Sequence, residues 1–124
     1  MNREENAITI KHSGNNCCQA VLLAFEDILD LDAETLRKLG AGFGLGMGTM
    51  DATCGALCGA EMVLGLKKFE GASIGAAGRE MFMKFRSLCG STDCGELKGT
   101  KQGPMLCSCD DCVKNAVKIT EEML

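Results

Sequence analysis

The chain has no tryptophan or tyrosine, one histidine (His12) and one proline (Pro104) in its 124 residues. The shortage of histidine removes several chemistries at once. A cysteine–histidine nucleophile pair or a mixed cysteine/histidine zinc site would have to be built on His12, which lies in a polar turn and reads as a solvated side chain. No motif supports a serine–histidine–aspartate triad. Cys109-Asp110-Asp111-Cys112 is followed by Val113 and not by histidine, so it is no c-type haem attachment site. Apolar runs are short, far below the roughly 20 residues that span a bilayer, and no membrane insertion is expected. The 13 Lys and Arg are outnumbered by 17 Asp and Glu and form no cluster. Nucleic acid is therefore not expected as a partner. The glycines of Gly40-Ala41-Gly42-Phe43-Gly44-Leu45-Gly46-Met47-Gly48 lack the Lys-Ser/Thr ending of a phosphate-binding loop. Met1-Asn2-Arg3-Glu4-Glu5 carries two acids and no apolar run follows, so the expectation is a protein without a secretory leader, located in the cytoplasm.

What the chain does have is nine cysteines. Their odd number, the absence of a leader and strong helical patterning argue against a secreted disulfide framework and for metal or redox chemistry. Their placement is more telling. Cys17 and Cys18, Cys54 and Cys58, Cys94, and Cys109 with Cys112 fall where helices are expected to begin. Helix starts expose unpaired N–H groups and the positive end of the dipole, which favour thiolate over thiol.

The periodicity predicts one all-α domain over residues 1–124, a bundle of about five or six helices joined by glycine-rich connectors. Asn16 caps a helix predicted over 17–30, with Cys18, Val21, Leu22, Phe25, Ile28 and Leu29 on its apolar stripe. Cys18 lies on that stripe and Cys17 beside it. Asp32 caps a helix to about residue 40, with Leu36 and Leu39 inward. Asp51 or Thr53 starts a helix reaching Leu66, and Ser73 opens one ending at Cys89-Gly90 with Met81, Phe82, Phe85 and Leu88 inward. Asp93 and Glu96 have capping-box spacing, which puts Cys94 at the first position of a short helix. The last helix runs from about Ser108 to Met123, with Cys109 and Cys112 on its buried stripe and Cys107 outside it.

On the central helix Cys54 and Cys58 share a face, and Gly55 and Gly59 share the neighbouring strip. Paired glycines cost about 1 kcal/mol each relative to alanine. They are understood if another helix backbone or a bulky inorganic group lies against them. Cys58 and Cys89 read equally well as small core hydrophobes. Three all-sulfur chemistries remain open: tetrahedral zinc, an iron–sulfur cluster whose sulfides take glycine N–H groups, and a dithiol/disulfide pair. Cys54 and Cys58 themselves run parallel on one helix and would strain as a disulfide.

The motif Cys54-Gly55-Ala56-Leu57-Cys58-Gly59 resembles the Cys-Gly-Ala-x-x-Gly signature of the C_GCAxxG_C_C family of redox proteins. The upstream Asn16-Cys17-Cys18-Gln19-Ala20-Val21, the glycine run, Gly90-Ser91-Thr92-Asp93-Cys94-Gly95-Glu96-Leu97 and Cys109-x-x-Cys112-Val113-x-x-Ala116-Val117 follow in the same order, over about residues 12–122. The resemblance implies redox activity on four characteristic cysteines, here Cys18, Cys54, Cys94 and one of Cys109 or Cys112. Cys17, Cys58, Cys89 and Cys107 have no place in that quartet. A related module in split-Soret cytochrome c is associated with a [2Fe–2S] cluster, which implies such a cluster here, with Gly55 and Gly59 beside it. The competing readings are zinc or copper(I) bound without electron transfer, and a helical interaction module whose cysteines only pack. The redox reading calls for a partner protein or a small thiol, and leaves homodimer formation open.

Overall fold

Five short polar side chains fix where the helices begin. In the computed structural model, which describes residues 2–124, Asn2, Asn16, Asp32, Asp93 and Ser108 each accept a backbone N–H three residues on. They open α1 (Arg3–His12), α2 (Cys17–Ala24), α3 (Ala33–Gly40), α6 (Cys94–Lys98) and α7 (Cys109–Met123). Two further helices, α4 (Gly55–Lys68) and α5 (Gly75–Cys89), start at Cys54 and Ile74 without a geometric side-chain cap. Among the described residues the fold is all-α. Its only strand-like pairing is one antiparallel bridge between Thr53 and Asp93.

Asn16 and Gln19 form a reciprocal capping box, each side chain taking the other's N–H at 2.8 Å. The Asp93–Glu96 pair does not close one. Asp93 caps Glu96 N–H at 3.0 Å, but the Glu96 carboxylate accepts from Ser91 Oγ at 2.6 Å instead. The helix expected over 17–30 stops at Ala24 and continues as a single tight turn, Glu26–Ile28. Two features account for the stop, one local and one tertiary. Glu26, Asp27 and Asp30 crowd acids onto the negative end of a helix dipole. Arg3 satisfies the end instead: its guanidinium donates to Ala24 O, pairs with Asp27 and sits 4.6 Å over the Phe25 ring.

α2 is the middle of the structure. α1, α3, α4 and α7 all pack on it, so Cys17, Cys18, Ala20, Val21, Leu22 and Ala24 are all buried. An apolar stripe discriminates poorly on a helix packed by four others, and both Cys17 and Cys18 face the interior. On the periphery the stripe fails the other way. Leu39 and Leu88, expected inward, are 41% and 52% exposed.

The contact between α2 and α4 is unusually close. A Cβ on Gly59 would lie 2.9 Å from Cys18 O and 3.0 Å from Val21 Cβ, and one on Gly55 would lie 2.6 Å from Phe43 O and 3.4 Å from Cys18 N. The glycine strip therefore meets protein backbone. Gly65, on the same helix, has nothing within 4 Å of the corresponding position. Opposite outcomes are expected for the same substitution. Gly59→Ala forces α2 and α4 apart and destabilises by about 1–3 kcal/mol. Gly65→Ala gains roughly 0.5–1 kcal/mol from the smaller entropy loss of alanine in a helix. Urea denaturation of the two variants beside wild type checks both signs; equal effects would refute the packing account.

Candidate functional site

Four chain segments far apart in sequence bring their cysteines to one side of α2. Cys17 is the first residue of α2, Cys94 of α6 and Cys109 of α7, and Cys54 immediately precedes α4. Two exchanged backbone hydrogen bonds hold Cys54 against Cys94: Cys54 N–H donates to Thr92 O and Cys94 N–H to Ala52 O, both at 2.8 Å. The Lys101 ammonium ties this junction from outside, 2.6 Å from Asp51 and 2.9 Å from Asp93. Gly46, at φ 58°, lets the glycine-rich turn close over it, since a Cβ there would lie 2.7 Å from Cys94 Cβ. On the other side Asp110 pairs with Lys11 at 2.9 Å and His12 at 3.0 Å, anchoring the start of α7 to the end of α1.

The thiols meet in pairs. Cys17 is in side-chain hydrogen-bonding contact with Cys109, and Cys54 with Cys112. Cys112 also contacts Cys89, and both neighbour Cys107. All nine cysteines are free. Beside the pairs lies Lys98, whose Nζ is buried with no oxygen or nitrogen acceptor. Burial opposes its charge, but the sulfurs of Cys54, Cys112 and Cys109 outweigh this and hold it protonated.

This packing sorts the thiols into acids and donors. The hydrogen bond from Cys17 draws Cys109 well below the ordinary thiol range, against burial, and the Lys98 and Lys11 charges add to the effect. Cys54 is lowered by its hydrogen bond from Cys112, helped by Lys98 and by the free N–H groups of Ala56 and Leu57 at the start of α4. Cys89 is lowered by Cys112 and by Asn115, whose Nδ2 donates to its sulfur at 3.3 Å. The donors Cys17 and Cys112 are raised accordingly. Burial raises Cys94, and pushes Cys107 up to about 11.

Of the residues singled out from the sequence, Cys54, Cys94, Cys109 and Cys112 share this neighbourhood. Cys18 Sγ lies 3.9 Å from Met62 Sδ with Cys58 and Cys54 nearby, and burial pushes it up to about 12. Cys58, held at about 11 by burial, sits 3.9 Å from Thr53 O. Gly55 and Gly59 lie against the α2 backbone. Sequence reasoning noted Cys17 at a helix start but left it, with Lys98, Cys89 and Cys107, outside the expected site. Only for Cys17 was there a signal, its place directly after the Asn16 cap. The sulfurs of Cys89, Cys107 and Cys112 all lie within 4.8 Å of one another, a grouping that can hold a metal ion.

No helix among the described residues is long and apolar enough to cross a membrane. No curated protein and no solved structure matches the chain. Its kinship lies in the order of its cysteines and glycines: residues 15–123 match the family described as "Putative redox-active protein (C_GCAxxG_C_C)", and the chain belongs to that family.

Proposed function

We propose that the protein is a thiol–disulfide redox protein in which Cys109 is the attacking thiolate and Cys17 the resolving thiol. The observation that carries this reading is that Cys17 and Cys109, the first residues of α2 and α7, are neighbours, with Lys98 and Lys11 adding to the lowering of Cys109 while Cys17 is raised. Cys109 is partly exposed, whereas Cys17 is 6% exposed. The Cys109 thiolate attacks a sulfur of a partner disulfide, forming a mixed disulfide and releasing one partner thiolate. Cys17 then loses its proton and attacks Cys109 Sγ, releasing the second partner sulfur as a thiol. The protein dithiol is oxidised to a disulfide and the partner disulfide is reduced to two thiols. The partner is a small thiol disulfide or a protein that carries one, and free thiols of this number suit a reducing compartment such as the cytoplasm.

A second reading has separate support. Cys17, Cys54, Cys94 and Cys109 offer sulfur only, next to a buried ammonium that offsets thiolate charge, a donor set suited to an iron–sulfur cluster. These residues would hold such a cluster, which would supply one-electron transfer. Strictly anaerobic purification separates the readings. Sulfur-to-iron absorbance with stoichiometric iron supports the cluster. A colourless protein that loses one pair of thiols to glutathione disulfide, with a Cys17–Cys109 cross-linked peptide in the mass spectrum, supports exchange. In that case Cys109→Ser abolishes the cross-link, and a cross-link between other cysteines would refute the assignment.

The acidity of Cys109 gives a pH prediction. A thiol whose pKa is lowered is already ionised at neutral pH, so its alkylation rate changes little on going from pH 7 to 9, where an ordinary thiol speeds up steeply. Lys98→Met removes the nearest buried cation and moves the onset of Cys109 alkylation to higher pH. Iodoacetamide labelling resolved by peptide mapping reads both. An unchanged profile in Lys98→Met would show that Lys98 does not act on Cys109.

A further inference from the structure

Cys89, Cys107 and Cys112 come from three different elements: the last residue of α5, the loop before α7, and the first turns of α7. None of the three takes part in the Cys17–Cys109 pair. From their grouping we infer that they form a second, separate site that binds one soft, thiophilic d10 cation of the zinc and copper(I) class through three thiolates.

Geometry comes first. Zinc–sulfur bonds of about 2.3 Å place the sulfurs of a tetrahedral or trigonal site roughly 3.8–4.0 Å apart. The three sulfurs already lie within 4.8 Å of one another. Ligation therefore asks each to move by only a fraction of that gap, a matter of side-chain rotation.

The surroundings fit a cation bound to sulfur. Asn115 donates to Cys89 Sγ at 3.3 Å, the kind of outer hydrogen bond that orients a ligating atom. The Cys107 loop is held in place because Leu106 and Cys107 both donate their N–H to Leu97 O, at 2.9 and 3.2 Å. Cys89 closes α5, and the carbonyl end of a helix favours a positive charge. Asp111 adds negative charge near Cys107. Cys89 and Cys112 are 3% and 0% exposed, while Cys107 is partly open and borders the exposed Met105 and Leu106, which leaves a way in. With no imidazole or carboxylate in the group, its three sulfurs select soft ions over magnesium, calcium or manganese. On binding, each thiol still protonated releases its proton to solvent and keeps the sulfur lone pair for the metal.

The test uses fully reduced, anaerobic, full-length protein titrated with cobalt(II), whose thiolate complexes absorb by sulfur-to-cobalt charge transfer, followed by displacement with zinc. One equivalent of cobalt is expected to saturate the band, and one equivalent of zinc to bleach it. Cys107→Ser is the decisive variant, because Cys107 lies in a loop outside the helices and its loss leaves the core intact. It is expected to abolish saturable binding with unchanged circular dichroism. Asn115→Leu is expected to weaken binding by about tenfold. Cys17→Ser and Cys109→Ser, which disable the proposed exchange pair, are expected to bind as wild type does. Binding undiminished in Cys107→Ser, or binding lost in Cys17→Ser or Cys109→Ser, overturns the inference, as does wild-type protein that takes up neither ion. Loss of thiol–disulfide exchange with cobalt binding intact would instead count against the exchange reading alone.

Discussion

The close approach of α2 and α4 is the constraint on which the rest depends. Cys18 O and Val21 occupy the space that a side chain at Gly59 would fill, and Phe43 O and Cys18 N that of one at Gly55, so the two helix axes can come together at their starts. The start of α2 carries Cys17 and the residue before α4 is Cys54. The bridge between Thr53 and Asp93 then adds Cys94, and α7, which packs on both α2 and α4, adds Cys109 and Cys112. If the interhelical distance grew by the width of a methyl group, the sulfurs would still lie on the same helices but would no longer meet.

Crowded thiols cannot all ionise, because each thiolate raises the cost of the next. The structure resolves this by alternation. Cys109 is lowered beside a raised Cys17, and Cys54 and Cys89 are lowered on either side of a raised Cys112, whose one proton serves one neighbour at a time. One buried ammonium, Lys98, faces the group without any oxygen or nitrogen partner. An ammonium taken out of water without a counter-charge costs several kcal/mol, so Lys98 is tolerable there only because thiolates surround it. Lys98 in turn adds to the lowering of Cys109, Cys54 and Cys89 that their thiol neighbours begin.

The sequence was legible wherever local chemistry decides structure. Asn16, Asp32 and Asp93 cap the helices they were expected to cap, and Gly90, at φ 95°, ends α5. It was less legible where packing decides. The break after Ala24 depends on Arg3 arriving from 21 residues away, and periodicity carries no trace of that. Cys17 and Cys18 differ by one helical step, a difference that matters only once it is known which neighbour each step faces. Cys89 and Cys107 had no helical or motif signal at all. Cys107 lies in an irregular loop, and its proximity to Cys89 is set by the Leu97 carbonyl that holds the loop.

The same side chain therefore has three fates in this chain, and environment alone assigns them. Cys18, beside Met62 Sδ, and Cys58, beside Thr53 O, are raised by burial and keep their protons. Cys17 and Cys109 stand at two helix starts beside cations, where one can ionise while the other supplies its proton. Cys89, Cys107 and Cys112 gather where a helix ends, which suits a bound cation better than a bare thiolate. Cys54 stands between the last two groups, beside Cys112 of the triad. Ionisation of Cys112 on metal uptake would therefore be felt first at Cys54, while the Cys17–Cys109 pair lies one neighbour further on, at the starts of α2 and α7.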